Sequence, residues 1–290
     1  MKQSVITKWI MAVRPRTLPA SACPVIAAGA YGWYFGSFNL PIVVICLIFA
    51  LLAQSAANMA NDYFDFKSGA DNDDRVGPRR MVASGDIAPQ QVLMATIGVL
   101  TVACAIGCIL IYLRGWELLP IGIIIALFAV AYSAGPYPLA YHGLGDIAVV
   151  LFFGFAALGL TYYVMAGNVN GYVWLGCLAF GGLIENILLV NNYRDADNDA
   201  QVGKRTTVVM FGRRWVIPLY FAHGVIAIAC VATIDWRLIV FFVPYLLLHI
   251  ATTRKMTRRS GAELNPVLGE TARNLLLFTL TLVAGLAVLK

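Results

Sequence analysis

Hydrophobic and polar positions fall into long blocks along this chain. Apolar stretches, most of them near 20 residues long, cover roughly 18–36, 40–60, 91–113, 116–134, 146–166, 171–190, 214–233, 236–252 and 272–289, with polar segments between them. About 20 apolar residues in helical form cross a hydrocarbon core of about 30 Å. Inside lipid the backbone must satisfy its own hydrogen bonds, which a helix does. The pattern predicts an all-α polytopic membrane protein, nine transmembrane helices bundled around a central cavity, in a single domain over residues 1–290.

Composition agrees with that reading: 60% hydrophobic, 12% charged, mean hydropathy +0.77, about half the charged share of a soluble domain. Of 21 lysines and arginines, only Arg114, Arg237 and Lys290 fall on one side of the predicted bundle. The other eighteen share the side of the N-terminus. Cytoplasmic segments carry such an excess, so the N-terminus is expected in the cytoplasm and the cavity open to that face. The net charge of +6 is thus a topology signal, not a sign of nucleic-acid binding. The segment from Met1 to Arg16 is polar and basic and reads as no cleavable leader. All six cysteines sit inside apolar stretches without metal-ligand spacing, which suits small buried hydrophobes.

The two longest polar segments, 61–90 and 191–213, both lie on the cytoplasmic side and open alike. Asn61 and Asp65 are followed by Asp71; Asn191, Asp195 and Asp199 repeat the Asn-x3-Asp spacing 130 residues later. Residues at i, i+4 and i+8 share a helix face, about 6 Å apart along the axis. A glycine and bases follow in both, Lys67, Gly69 and Arg75 in the first and Gly203, Lys204 and Arg205 in the second. Two acidic faces brought together would repel each other and raise their own pKa values. Hard divalent cations resolve that conflict, and Mg²⁺ shares its shell with substrate phosphates. Because each motif follows an even-numbered helix, helices 1–4 and 5–8 read as divergent repeats, with helix 9 added.

The same motifs carry a resemblance. Asn61-Asp62-x2-Asp65 and Asn191-Asn192-x-Arg194-Asp195-x3-Asp199-x3-Gly203-Lys204 resemble the UbiA superfamily of intramembrane prenyltransferases. Arg14-Pro15-Arg16-Thr17-Leu18-Pro19, Asp74-Arg75-x-Gly77-Pro78, Gly143-Leu144-Gly145-Asp146, Phe152-Phe153-Gly154 and Thr161-Tyr162-Tyr163 are similar to the branch that prenylates 1,4-dihydroxy-2-naphthoate in menaquinone biosynthesis. Two departures stand out: Gly69 replaces an aspartate found in other branches, with Asp71 taking its place, and Thr207 stands where this branch usually has leucine. The resemblance implies Mg²⁺, two ions, held by Asn61, Asp65 and Asp71 and by Asn191, Asp195 and Asp199. It implies an allylic polyprenyl diphosphate contacted by Lys67, Arg75, Asn192, Arg194 and Lys204. The acceptor it implies is 1,4-dihydroxy-2-naphthoate, which loses its carboxylate to give demethylmenaquinone in a bacterial inner membrane.

Aromatic faces steady cations, so Tyr162 and Tyr163, and next Tyr141, are candidates to line the cavity beside an allyl cation; tyrosines also populate membrane interfaces. Asp146 reads as a helix N-cap. Glu185, deep in a predicted span, is a functional candidate by its depth alone. Two rivals remain: the same reaction on another acceptor such as 4-hydroxybenzoate, and a transporter for cations or phosphorylated solutes. Transporters place charged sites near mid-membrane, whereas these charges gather at one surface.

Overall fold

The computed structural model describes residues 4–69, 71 and 76–290, which are helical with short connections and, among the described residues, contain no strand. The helices are α1 (Val5–Val13), α2 (Pro19–Phe35), α3 (Leu40–Ser68), α4 (Pro89–Arg114), α5 (Leu118–Ala131), α6 (Gly145–Val149), α7 (Thr161–Ala166), α8 (Gly171–Gln201), α9 (Thr207–Phe211), α10 (Val216–Ala232), α11 (Leu238–Phe241), α12 (Val243–Met256) and α13 (Asn265–Leu289). A π-helical stretch, Val150–Leu160, joins α6 to α7 in one rod.

Local chemistry sets the boundaries. Asn39 and Asn170 cap α3 and α8 by accepting the amides of Ile42 and Val173 at 3.2 and 3.0 Å, satisfying orphan donors of the first turn. Gly69 closes α3 at φ +77°, returning its amide to the carbonyls of Asp65 and Phe66; the left-handed conformation there suits glycine. Asp146 is not a cap. Helix α6 starts one residue earlier, at Gly145, with no side-chain bond to its first turn, and the Asp146 carboxylate is used elsewhere.

Among the described residues, five rods are long and apolar enough to cross a membrane: Leu40–Ser68, Pro89–Arg114, Gly145–Ala166, Gly171–Gln201 and Gly261–Leu289, with Leu118–Ala131 and Val216–Ala232 shorter apolar helices. Helix α8 is the most enclosed of these, with the π stretch on one side and α10 on another, while α3 packs along α4 and α2 along α13. Close approach of α8 to the π stretch depends on paired glycines. A Cβ on Gly154 would stand 3.1 Å from Gly181 Cα and press into the Cys177 carbonyl. The densest core lies here, around Tyr31, Leu158, Phe180, Phe242 and Phe278. Three cysteines are buried and Cys230 is half-buried, but Cys104 and Cys108 of α4 are exposed and line the large cavity of the bundle.

Both polar motifs are helical rather than looped. Helix α3 runs eight residues past position 60, and α8 eleven past position 190. Polar side chains prolong these helices because partners across the bundle satisfy them.

Candidate active site

The end of α3 carries its polar groups on two faces. Inward, the Asp65 carboxylate is buried and receives Tyr141 OH at 3.1 Å on Oδ1 and Arg80 Nη2 at 3.2 Å on Oδ2. Arg80 Nε also stands 3.4 Å from Asp71 Oδ2, so one guanidinium bridges two carboxylates. Asn61 accepts from Arg14 Nη2 at 3.3 Å and donates to Ser133 Oγ at 2.9 Å. On the other face, Asp62 Oδ2 accepts the amide of Met81 at 3.1 Å. That bond, with Met81 and Val82 buried against Ala12 and Met59, folds the 76–88 segment back and delivers Arg80 to Asp65.

The end of α8 is built around Arg194, whose side chain is wholly enclosed. Its Nε and Nη2 donate to the two oxygens of Asp195 at 2.7 and 2.6 Å, Nη2 also to Asn191 Oδ1 at 2.7 Å, and Nη1 to Asn265 Oδ1 at 2.8 Å. Such a forked pair is the strongest ionic contact a side chain makes. Asn265 opens α13 and donates in turn to the Val76 carbonyl at 3.2 Å. One turn further along α8, Asp199 Oδ1 lies 3.6 Å from Lys204 Nζ, while its Oδ2 is buried without a hydrogen-bond partner.

Tyr141 joins the two halves. Its hydroxyl serves Asp65 of α3, its carbonyl accepts the Arg205 amide at 3.0 Å, and Lys204 Nζ sits 5.6 Å from its ring centre. Burial, then the adjacent Asp65 carboxylate, push the Tyr141 phenol well above its ordinary pKa, so it stays a hydroxyl donor.

Both motifs face one cavity of about 770 Å³. Its polar end is walled by Arg14, Asn58, Asn61, Asp65, Arg80, Asn191, Asn192, Lys204 and Asn265; its body by Cys46, Phe49, Leu110, Leu118, Ile121, Phe128, Phe152 and Val164. Along α3 the wall runs from Cys46 to Asp65, about 28 Å at 1.5 Å per residue, close to the thickness of a hydrocarbon core. Asp71, Asp195, Asp199 and Tyr141 stand one step behind the wall, held by Arg80, Arg194, Lys204 and Asp65 respectively.

Other residues singled out in the sequence lie elsewhere. Lys67 is exposed, outside the wall, and Arg75 falls outside the described residues. Tyr162 is buried in the core against Phe35 and accepts from Asn170. Tyr163 donates to Glu117 at 3.1 Å beneath the Arg114 guanidinium. Neither tyrosine reaches the cavity. Glu185 faces His223 of α10, Oε2 to Nε2 at 3.6 Å. Sequence reasoning passed over Arg80, Arg14 and Asn265. Arg14 stands in the sequence as a motif letter without a role, Arg79 and Arg80 directly follow the Gly77-Pro78 motif, and Asn265 precedes the last apolar stretch.

Among the described residues no three carboxylate, histidine or cysteine side chains converge to hold a metal unaided. The donors that do gather are hard oxygens, one of them the unpartnered Asp199 Oδ2. That set fits a divalent cation whose shell is completed by phosphate and water. The acids of the head are each balanced by a cation: Asp65 and Asp71 share Arg80, Asp195 holds Arg194, and Asp199 lies beside Lys204. A diphosphate, roughly −3 near neutral pH, would upset that balance without added positive charge.

A charged head opening into an apolar cavity among membrane-length helices defines a membrane-embedded site for a substrate that is ionic at one end and hydrocarbon at the other. Residues 22–269 match the UbiA prenyltransferase family, and the chain belongs to it; it is a prenyltransferase. It is 29% identical to the 1,4-dihydroxy-2-naphthoate octaprenyltransferase of Haemophilus influenzae, over 97% of this chain and 96% of that one. It is 34% identical to the enzyme of the same name from Mycobacterium tuberculosis, over 97% of each. The fold is shared with a UbiA homolog from Archaeoglobus fulgidus solved with GPP and Mg²⁺, at 18% identity and TM-score 0.67, over 97% of this chain and 99% of that one.

Proposed function

We propose that the protein transfers a polyprenyl group from an allylic polyprenyl diphosphate to 1,4-dihydroxy-2-naphthoate, with loss of the ring carboxylate, as a step towards menaquinone. The observation that carries this reading is that residues of both acidic motifs, Asn61 and Asp65 of the first and Asn191 and Asn192 of the second, wall the polar end of one membrane-length apolar cavity. The head takes the diphosphate and the body takes the prenyl tail. The relatives' common name supports the naphthoate acceptor.

The cations in the wall are Arg14, Arg16, Arg79, Arg80 and Lys204; Arg80, Arg14 and Lys204 stand beside the acidic motifs and bind the diphosphate oxygens, and Asn61, Asn191 and Asn192 complete its polar contacts. Asp65, Asp71 and Asp199, with Asn61 and Asn191, are the groups that would hold Mg²⁺, which neutralises the charge that grows on the departing diphosphate. Breaking the prenyl C1–O bond leaves allyl-cation character at C1, and the electron-rich naphthoate ring bonds to that carbon. The apolar body keeps water from competing. Nine transmembrane helices, an N-terminus in the cytoplasm and a head at the cytoplasmic face of a bacterial inner membrane follow from the placement of the lysines and arginines.

Purified protein supplied with a polyprenyl diphosphate, Mg²⁺ and single acceptors tests the reading. Prenylated, decarboxylated naphthol and released diphosphate are expected with dihydroxynaphthoate. Product with 4-hydroxybenzoate and none with dihydroxynaphthoate would refute the acceptor. Ion flux across liposomes without diphosphate release would refute the enzyme.

A further inference from the structure

Asp146 occupies a position that diphosphate binding leaves unexplained. It sits in the first turn of α6, in the wall of the main cavity, and is 8% exposed. One carboxylate oxygen, Oδ2, accepts the Thr207 hydroxyl at 2.6 Å. The other, Oδ1, is buried and has no hydrogen-bond partner. A buried carboxylate oxygen with no donor costs free energy that a bound donor would recover. None of the lysines and arginines of the head reaches it. Glu185 shares a second, shallower hollow with Asp146 but is turned to His223. The surroundings are aromatic: Phe152 and Tyr132 line the same cavity, and the Tyr132 hydroxyl lies 3.4 Å from where a side chain on Gly145 would begin. A ring between aromatic walls with a hydroxyl aimed at Oδ1 satisfies every group there. An anionic diphosphate satisfies none.

We infer that Asp146 is a catalytic residue for the acceptor half of the reaction, with Thr207 as its positioning residue; this rests on the aromatic-acceptor reading above. The ligand class is a hydroxylated aromatic ring. Asp146 Oδ1 takes the proton of the hydroxyl next to the ring carbon that carries the carboxylate. That ring carbon bonds to prenyl C1, the C1–O bond breaks, and its electron pair leaves with the diphosphate. The adduct is a β-keto acid. Its ring–carboxylate bond breaks to release CO₂, the electron pair returns to the ring as an enolate, and the enolate oxygen recovers the proton from Asp146. The product is the hydroquinone form, with no net proton gained or lost and no oxidant required.

Asp146→Asn keeps the shape and removes the base. In the purified full-length enzyme, kcat with dihydroxynaphthoate should fall at least about 100-fold, the lower range for a proton-transfer group. Calorimetric affinity for polyprenyl diphosphate with Mg²⁺ should stay within about twofold. The defect should shrink for acceptors whose hydroxyl is more acidic, because less help is needed to ionise them. Thr207→Val should lower kcat about tenfold, and Thr207→Ser should recover most of that loss. Turnover of Asp146→Asn within twofold of the parent enzyme would overturn the inference, as would loss of diphosphate binding in that variant or a defect independent of acceptor acidity. If Asp146→Asn does not fold, the Thr207 pair decides: equal turnover of the valine and serine variants overturns it. Absence of any prenylated aromatic product from the parent enzyme would instead refute the function proposed above.

Discussion

Removing Arg194 should destabilise the fold rather than loosen its substrate. A guanidinium has five N–H donors, and four are committed here: Nε–H and one Nη2–H to Asp195, the other Nη2–H to Asn191, one Nη1–H to Asn265. No solvent reaches the group, and too few donors are left to hold a diphosphate. Arg194→Ala leaves the 8%-exposed Asp195 carboxylate without its cation, a defect worth about 3–5 kcal/mol. At about 2 °C per kcal/mol for a long chain, Tm should fall by about 6–10 °C. Arg194→Lys should not rescue it, because a point charge cannot replace the fork. The double variant Arg194→Met/Asp195→Leu should lose less than the two single variants together, since it abandons no buried charge. Thermal unfolding of detergent-solubilised protein reads every variant. A Tm drop below about 2 °C for Arg194→Ala, together with a tenfold or greater rise in the Kd for polyprenyl diphosphate, would show that the arginine serves the substrate and that this reasoning is wrong.

Lys204→Ala should weaken polyprenyl diphosphate binding about tenfold, the worth of one charge-assisted contact at about 1.4 kcal/mol, and calorimetry would expose the error if Kd did not move. Asp65→Asn, or chelation of divalent ions from the native enzyme, should abolish diphosphate release while Tm changes little; sustained turnover in EDTA would remove the metal from the proposal. Gly154→Ala pushes a methyl group towards Gly181 and the Cys177 carbonyl, an overpacking cost of about 1–3 kcal/mol, and an unchanged Tm would mean that the two rods are not in such close contact. Tyr162→Phe and Tyr163→Phe should each keep kcat within about twofold, because neither ring reaches the cavity; a large loss in either would return it to the active site.

The apolar blocks announced the helices because burial in lipid leaves no other economy for a backbone, and the twin Asn-x3-Asp spacings announced the head because a helix keeps such residues on one face. Hydropathy failed where polar groups meet each other. It stops near positions 60 and 190, yet α3 and α8 continue to Ser68 and Gln201, carried by Arg80, Arg194 and Asn265, whose proximity is a property of the folded bundle. Arg80 could not be chosen over Lys67 or Arg75 from the string alone. What selects it is the Asp62–Met81 bond, between residues nineteen apart, on the face of α3 that points away from the cavity. Tyr162 and Tyr163 were misdirected for a different reason. Eleven residues of π-helix precede them, and i→i+5 bonding turns the chain less per residue than an α-helix does. The two rings therefore leave this rod at angles that 3.6 residues per turn does not give, Tyr162 into the core and Tyr163 towards Glu117. Thr207 shows the converse. In the sequence it is only a departure from the pattern of its branch; in the fold its hydroxyl fixes the carboxylate of Asp146, sixty-one residues back. A substitution that looks neutral in a motif gains its meaning from the group it faces, and here that group lines the cavity.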